Sequence, residues 1–225
     1  MPIYAVSGVG NEKLLHAANV MAQYLDNNED GVVDNQAVHD PMINANAYLF
    51  MWEKERDVDR FDSPEGKESQ DLGSEETVPD WHANGHTGEF DAALEEVLQL
   101  VTHVGYASVH PDVFGGEAGS ELANAMDVAR GGNFTSISNS YPSGAWYSYD
   151  DKTCEYNCMV TECFYWSLTS LIGTQTNRGS DINDEWDLNT RELLHVKDVL
   201  VYNLLMNPVY ALPAVLPEGT YTQTT

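Results

Sequence analysis

The stretch FDAALEEVLQLVTHVGYA, residues 90–107, decides the fold, because it predicts a helix with one buried face. Its apolar side chains recur at spacings of three and four residues: Phe90, Leu94, Val97, Leu98, Val101 and Val104. Gly105 follows this stripe, where helices commonly end. Glu96, Gln99 and His103 share a face close to the stripe. A carboxylate, an amide and an imidazole on a partly buried face indicate a metal or catalytic site.

The composition limits the classes of protein and partner. The chain has 225 residues, of which 42% are hydrophobic, and a formal net charge of −26. This length and apolar fraction predict one domain with a real core. The acidity would repel phosphate, so we expect no nucleic-acid binding. No run of about 18 apolar residues occurs, so we expect no membrane insertion. The carboxylates either bind divalent cations or keep the protein soluble in salty or calcium-rich water.

The cysteines and the first ten residues indicate whether the protein could be secreted or cytosolic. Cys154, Cys158 and Cys163 cluster in the sequence. In a secreted protein the first two could pair and leave the third buried, whereas a cytosolic protein could carry all three reduced. The opening MPIYAVSGVG is too short for a signal peptide and lacks a basic start, so a secreted protein would have lost its signal.

Residues 26–35, DNNEDGVVDN, resemble an EF-hand or dockerin-type calcium loop and follow an amphipathic helix predicted over residues 11–25. Gly31 takes position six, where such loops turn sharply, and Ala37 replaces the usual acid at position twelve. The alternative is a polar turn between helices. The predicted calcium ligands occupy positions one, three, five, seven (through its carbonyl) and nine: Asp26, Asn28, Asp30, Val32 and Asp34.

The chain is predicted to be mainly α-helical with little sheet and long loops. Residues 1–55 form a helix, the calcium loop and a second helix over 41–55. Residues 56–89 form an acidic surface loop, residues 90–206 a helical core, and residues 207–225 an extended tail. His82 and His86 lie near the end of this loop, either as metal ligands or as solvated side chains.

Within the helical core we predict helices over residues 121–130, 156–173 and 186–202. Glu162 lies among apolar and aromatic residues in the second of these, so we expect it to have a partner or a metal. Residues 141–156 are rich in aromatic side chains, and Trp146 and Tyr147 either line a binding cleft or pack in the core.

Together, EEVLQLVTHVGY and MVTECFYWSLTS resemble a divergent gluzincin metallopeptidase of the anthrax-lethal-factor type. The resemblance implies a zincin-like helical core, with Glu96 as general base, Glu162 as third ligand and Tyr149 as oxyanion stabiliser. Glu95 and Gln99 stand at the two histidine positions, and His103 lies one turn further on. The whole chain is also similar to secreted proteins with a calcium-like loop near the start, which implies an extracellular location.

Three hypotheses follow. In the first, the protein is a secreted, calcium-binding, metal-dependent hydrolase, peptidase-like, acting on a small molecule or peptide. Its zinc or other divalent transition metal is bound by some of Glu95, Glu96, Gln99, His103 and Glu162. In the second, the site is inactive and the protein is a calcium-stabilised binding module with an aromatic cleft. In the third, the same polar residues serve only the structure.

Overall fold

The computed structural model describes residues 1–62 and 68–223. Helices hold 43% of the chain and strands 7%, so the prediction of a mainly helical protein is confirmed. The chain divides into two compact units, Met1–Gly105 with Pro217–Thr225, and Tyr106–Leu216. The zincin-like character of the core and the assignment of one domain to residues 1–225 stay predictions. Across the described residues, no helix combines the length and apolarity that crossing a bilayer requires.

The first unit contains three strands and four helices among its described residues. In chain order they are β1 (Ile3–Ala5), α1 (Asn11–Leu25), α2 (Gln36–Asn44), β2 (Tyr48–Trp52), a 3-10 turn (Glu55–Asp57), β3 (Ser69–Gly73), α3 (Asp80–Ala83) and α4 (Ala93–Leu100). The strands form a parallel sheet in the order β1-β2-β3, and α4 packs against both α1 and β3. The predicted helix over residues 11–25 is confirmed as α1.

The second unit is helical. A π-helix (Val101–Tyr106) leads into it, followed by α5 (Ala107–Val109), α6 (Pro111–Phe114), α7 (Glu121–Ala129), α8 (Tyr156–Leu171), α9 (Arg191–Lys197), α10 (Val199–Leu205) and a 3-10 turn (Pro208–Tyr210). Cys154 and Cys158 form a disulfide, and Cys163 is free and buried. The sequence allows this pairing in a secreted protein, and the secreted location stays a prediction.

The prediction of a second helix over residues 41–55 is wrong. Helix α2 ends at Asn44, and the run YLFMW forms the central strand β2. All five of its residues are buried, with Ile3 paired to Leu49 and Phe50 to Asp71 in the neighbouring strands. A strand buried on both faces has a continuous apolar sequence without alternation, which is why the pattern did not separate it from a helix.

The predicted acidic loop over residues 56–89 is also partly wrong. Strand β3 pairs with β2, and α3 follows it. Only the last two residues of β3 are buried, so its sequence SQDLG lacks an apolar pattern. The part of this prediction that falls on residues 63–67 lies outside the described residues.

The helix predicted over residues 90–107 is correct at its centre and wrong at its ends. Helix α4 begins at Ala93, and the chain continues through the π-helix and α5 to Val109. Gly105 therefore lies inside helical structure rather than after it. A Cβ at this position would lie 2.6 Å from Cγ1 of Val38 and 3.2 Å from Sδ of Met42, so α2 can approach closely only because residue 105 is glycine.

The later helices follow the predictions more closely. Ser120 and Thr190 cap α7 and α9 by accepting hydrogen bonds from Ala123 N and Leu193 N. Helix α8 covers most of the predicted 156–173. The helix predicted over residues 186–202 is instead two short helices, because Asp198 interrupts it and caps α10.

We predict that Gly105→Ala lowers the free energy of unfolding by about 1–3 kcal/mol, because the added methyl group forces Val38 and Met42 to move. Ser108→Ala is the control, since Ser108 is an exposed residue of α5. Urea denaturation measures both variants. Equal stabilities would contradict the close approach of α2.

Candidate metal site

Asp91 is the centre of a buried polar cluster in the first unit. Its side chain has no exposed surface, and its Oδ2 accepts hydrogen bonds from His16 Nε2 at 2.6 Å and His82 Nε2 at 3.0 Å. Its Oδ1 accepts one from the backbone N–H of Val78 at 2.9 Å. Burial by itself would raise the pKa of Asp91, but these hydrogen bonds hold that pKa well below its usual range. The carboxylate is therefore ionised at neutral pH.

Three separate elements bring these side chains together. His16 lies on the buried face of α1, His82 lies on α3, and Asp91 lies two residues before α4. The exposed fractions of the two imidazoles are 5% and 8%. Their ring centroids are 5.4 Å apart. Since α1 packs against α4, the cluster joins the main helices of this unit.

The three side chains form a group that could hold a metal ion. One ligand atom from each, two imidazole nitrogens and one carboxylate oxygen, all lie within 4.8 Å of one another. In the described part of the chain this is the one group of three or more His, Cys, Asp or Glu side chains that could hold a metal ion. Two histidines and a carboxylate are the donor set of catalytic zinc sites and of non-haem iron sites.

One ring nitrogen of the cluster is unsatisfied. His82 Nδ1 is buried and has no hydrogen-bond partner among the described residues. Leaving a buried polar atom unpaired costs about 1–3 kcal/mol, so such atoms in a folded protein call for an explanation such as function. The ring of His86 stands at right angles to that of His82, with centroids 5.7 Å apart. His86 also has a backbone φ of +61°, a conformation that is strained for a residue with a side chain.

The cluster faces a cavity of about 500 Å³. Its lining residues come from α1, from the segment around α3 and from the carboxy-terminal segment: Glu12, Leu15, His16, Asn19, Pro79, His82, Ala83, Glu218, Gly219 and Thr220. Both imidazoles contribute to the wall, so a small molecule in the cavity can approach the groups that would hold a metal.

The carboxy-terminal segment is fixed beside the cavity through Gly219. The backbone N–H of Gly219 donates to Gln23 Oε1 at 2.7 Å, and its carbonyl accepts from Asn19 Nδ2 at 2.8 Å. Gly219 has a φ of +70°, and a Cβ there would lie 2.0 Å from His16 Nδ1. Only glycine therefore permits this segment to lie against the imidazole.

The predicted ligands on the central helix form a different polar network. Gln70, on β3, donates to Glu96 Oε2 at 2.5 Å and to Gln99 Oε1 at 2.7 Å. Gln99 in turn donates to Glu95 at 3.3 Å. His103 is 59% exposed and lies 4.0 Å from Glu68. The structure thus brings three of the predicted residues together around an amide, with His103 at the surface.

The remaining residues of the predicted hydrolase site and aromatic cleft lie in the second unit. Glu162 is buried on α8, as its apolar neighbours indicated. Trp146 Nε1 donates to Asp198 Oδ2 at 2.9 Å, and Tyr147 is buried with its hydroxyl donating to the carbonyl of Met159. The carbonyl of Tyr149 accepts from Tyr141. The aromatic cleft and the oxyanion role of Tyr149 stay predictions.

The calcium-like loop closes through its own carboxylates. Asp26 accepts hydrogen bonds from the N–H groups of Asp30 and Gly31, at 3.1 and 2.8 Å, and from the hydroxyl of Tyr221 at 2.5 Å. Gly31 has a φ of +84°, which fits its predicted place at the sharp turn. Asp34 Oδ2 accepts from the N–H of Asn27 at 2.6 Å. Calcium binding by this loop stays a prediction.

Sequence reasoning found one of the three clustered residues. His82 was a metal-ligand candidate, whereas His16 and Asp91 were not singled out. His16 interrupts the buried face of an amphipathic helix, which is the signal that could have found it. No protein-family model, curated protein or solved structure matches the chain, so its function has to be argued from the chemistry of the site.

The Glu96 carboxyl makes stability depend on pH. Burial, followed by the charge of Glu95, raises its pKa to about 8, against the opposing hydrogen bond from Gln70. The folded protein therefore keeps a proton that the unfolded chain releases near 4.5, so stability falls as the pH rises through this window. Because the side chain is half-buried, we expect a loss of about 1–2 kcal/mol between pH 5 and pH 8.

Urea denaturation of the wild type and of Glu96→Gln at several pH values measures this loss. The variant cannot ionise, so its stability should fall less steeply with pH than that of the wild type. Glu117→Gln, at an exposed position, should keep the wild-type slope. Parallel slopes for the wild type and Glu96→Gln would contradict the raised pKa.

Proposed function

We propose that the protein is a metal-dependent hydrolase whose metal ion is held by His16, His82 and Asp91. The observation that supports this most directly is the convergence of two imidazole Nε2 atoms on one oxygen of a buried carboxylate, at the wall of a cavity. This ligand set differs from the predicted set on α4 and α8. The reaction class is the predicted one, but the metal ligands are the side chains around Asp91.

The residues present fit a divalent transition metal. Zinc is bound by neutral imidazole and by carboxylate, and catalytic zinc sites use three protein ligands with one position left open. The bound ion would supply Lewis-acid chemistry, polarising a carbonyl oxygen and lowering the pKa of a water molecule. Here the N–H of Val78 holds the second oxygen of Asp91, which fixes the orientation of the carboxylate.

The cavity explains how a substrate could reach the proposed metal site. The cavity of about 500 Å³ gives a small molecule or a peptide end access to the imidazoles. The predicted substrate classes, a small molecule or a peptide, suit such a site. We also propose that the protein is secreted and related to the gluzincins. Neither statement supports the metal site.

A non-catalytic role is the second candidate, in which the protein is a calcium-stabilised extracellular binding module. The turn geometry of residues 26–34 supports its calcium site, because Gly31 turns the chain at the predicted position and the carboxylates of Asp26 and Asp34 fold inward onto backbone N–H groups. Both candidates allow calcium to bind this loop, and they differ in what the cluster around Asp91 does.

We predict that chelator-treated protein binds one zinc ion per chain, and that His16→Asn, His82→Asn and Asp91→Asn each weaken binding by at least about tenfold. Isothermal titration calorimetry and elemental analysis after dialysis measure affinity and stoichiometry. His103→Asn is the matched control, because this histidine is largely exposed and lies outside the cluster.

A wild-type protein without stoichiometric zinc, or cluster variants with unchanged affinity, would overturn the proposed site. Zinc-loaded protein is then assayed against peptide and ester substrates. Zinc binding at the cluster without any hydrolysis would favour the binding module over the enzyme.

For the loop, we predict that a saturating calcium concentration, about 100 times the dissociation constant, adds about 2.7 kcal/mol to the free energy of unfolding. For a chain of this size the melting temperature should then rise by roughly 5–10 °C. Asp30→Asn removes the charge of a predicted ligand while keeping an oxygen, so the shift should shrink. Differential scanning calorimetry with calcium and with chelator measures both proteins. An unchanged wild-type midpoint would show that residues 26–34 are only a turn.

A further inference from the structure

The walls of the cavity beside His16 and His82 carry a distinct charge pattern. Of the ten lining residues, two are carboxylates, Glu12 and Glu218, and none is lysine or arginine. The whole chain has 10 Lys+Arg against 36 Asp+Glu. A ligand that enters this cavity meets negative charge at the wall and in the long-range field, so anionic ligands are disfavoured and cations are attracted.

The backbone at each of the two glutamates is held in place by hydrogen bonds. Glu12 lies in the first turn of α1, four residues before His16 and therefore on the same face of the helix. Glu218 directly precedes Gly219, whose N–H and carbonyl are held by Gln23 and Asn19. The two acidic side chains thus come from opposite ends of the sequence to one cavity.

The rest of the wall offers apolar contact. Leu15 and Pro79 line the cavity together with Ala83, and none of these side chains can form a hydrogen bond. A short hydrocarbon chain can therefore lie against them while its polar end meets the carboxylates. The lining fits a ligand with a cationic head and a small apolar body.

We propose that the cavity selects substrates that carry an ammonium or guanidinium group on a short hydrocarbon chain, with Glu12 and Glu218 accepting its hydrogen bonds. One part of this inference rests on the proposed function: the bond to be hydrolysed would lie towards His16 and His82. The recognition itself needs no metal, because it uses carboxylates that are not part of the cluster.

The test compares n-butylguanidinium with N-butylurea, which has nearly the same shape and no charge. Guanidinium stays protonated at neutral pH, so neither probe acts as a basic nitrogen ligand to a metal. Protein-detected NMR titration gives both affinities, first for chelator-treated protein and then for zinc-loaded protein. We expect the guanidinium to bind at least about fivefold more tightly, and added salt to reduce this difference.

Glu12→Gln and Glu218→Gln should each weaken guanidinium binding by about threefold and leave butylurea binding unchanged. Glu75→Gln is the matched control, because Glu75 is an exposed acid of the same unit outside the cavity lining. Equal affinities of the two probes for the wild type would overturn the inference without any variant. An equal loss in Glu75→Gln would also overturn it, since net charge alone would then explain the attraction.

The outcome is separable from that of the proposed function. Selective guanidinium binding by a protein that binds no zinc would refute the metal site and keep the cation site. Stoichiometric zinc bound by the cluster, with no preference between the probes, would keep the metal site and refute the cation site.

Discussion

The buried carboxylate of Asp91 is the constraint on which the first unit depends. An isolated ionised carboxylate in a protein interior costs several kcal/mol, and three hydrogen bonds offset that cost here. The donors come from α1, from α3 and from the backbone at Val78. The carboxylate therefore fixes where three segments of the chain meet, and removing any one donor leaves charge without full compensation.

Helix α1 connects this cluster with the rest of the unit. One face carries His16 into the core, and the neighbouring positions Asn19 and Gln23 hold the backbone of Gly219. At its end, Asp26 opens the calcium-like loop and accepts from the hydroxyl of Tyr221. The carboxy-terminal segment thus follows α1 from the cavity to the loop. A displacement of this segment would change the wall of the cavity and the first carboxylate of the loop together.

The predictions succeeded where the signal is local in sequence. Helix α1 has a clear position because its apolar periodicity persists over four turns, and helix α8 because its apolar run is too long for a strand. The strands were not predicted, because parallel pairing is non-local and the sequence of β2 is an apolar run that also suits a helix. The cluster around Asp91 was not predicted for the same reason, since His16 and Asp91 are 75 residues apart and no spacing rule links them.

Asp91 has more hydrogen-bond donors around it than one buried carboxylate needs for compensation. A single imidazole, with the N–H of Val78, already supplies a partner for each carboxylate oxygen. The second imidazole shares an oxygen that is already bonded, and its burial leaves His82 Nδ1 without a partner among the described residues. A structural role gains little from that addition, because Asp91 Oδ2 already has a partner. Chelation, in contrast, needs two nitrogen donors converging beside an oxygen, and it needs them where a cavity gives access.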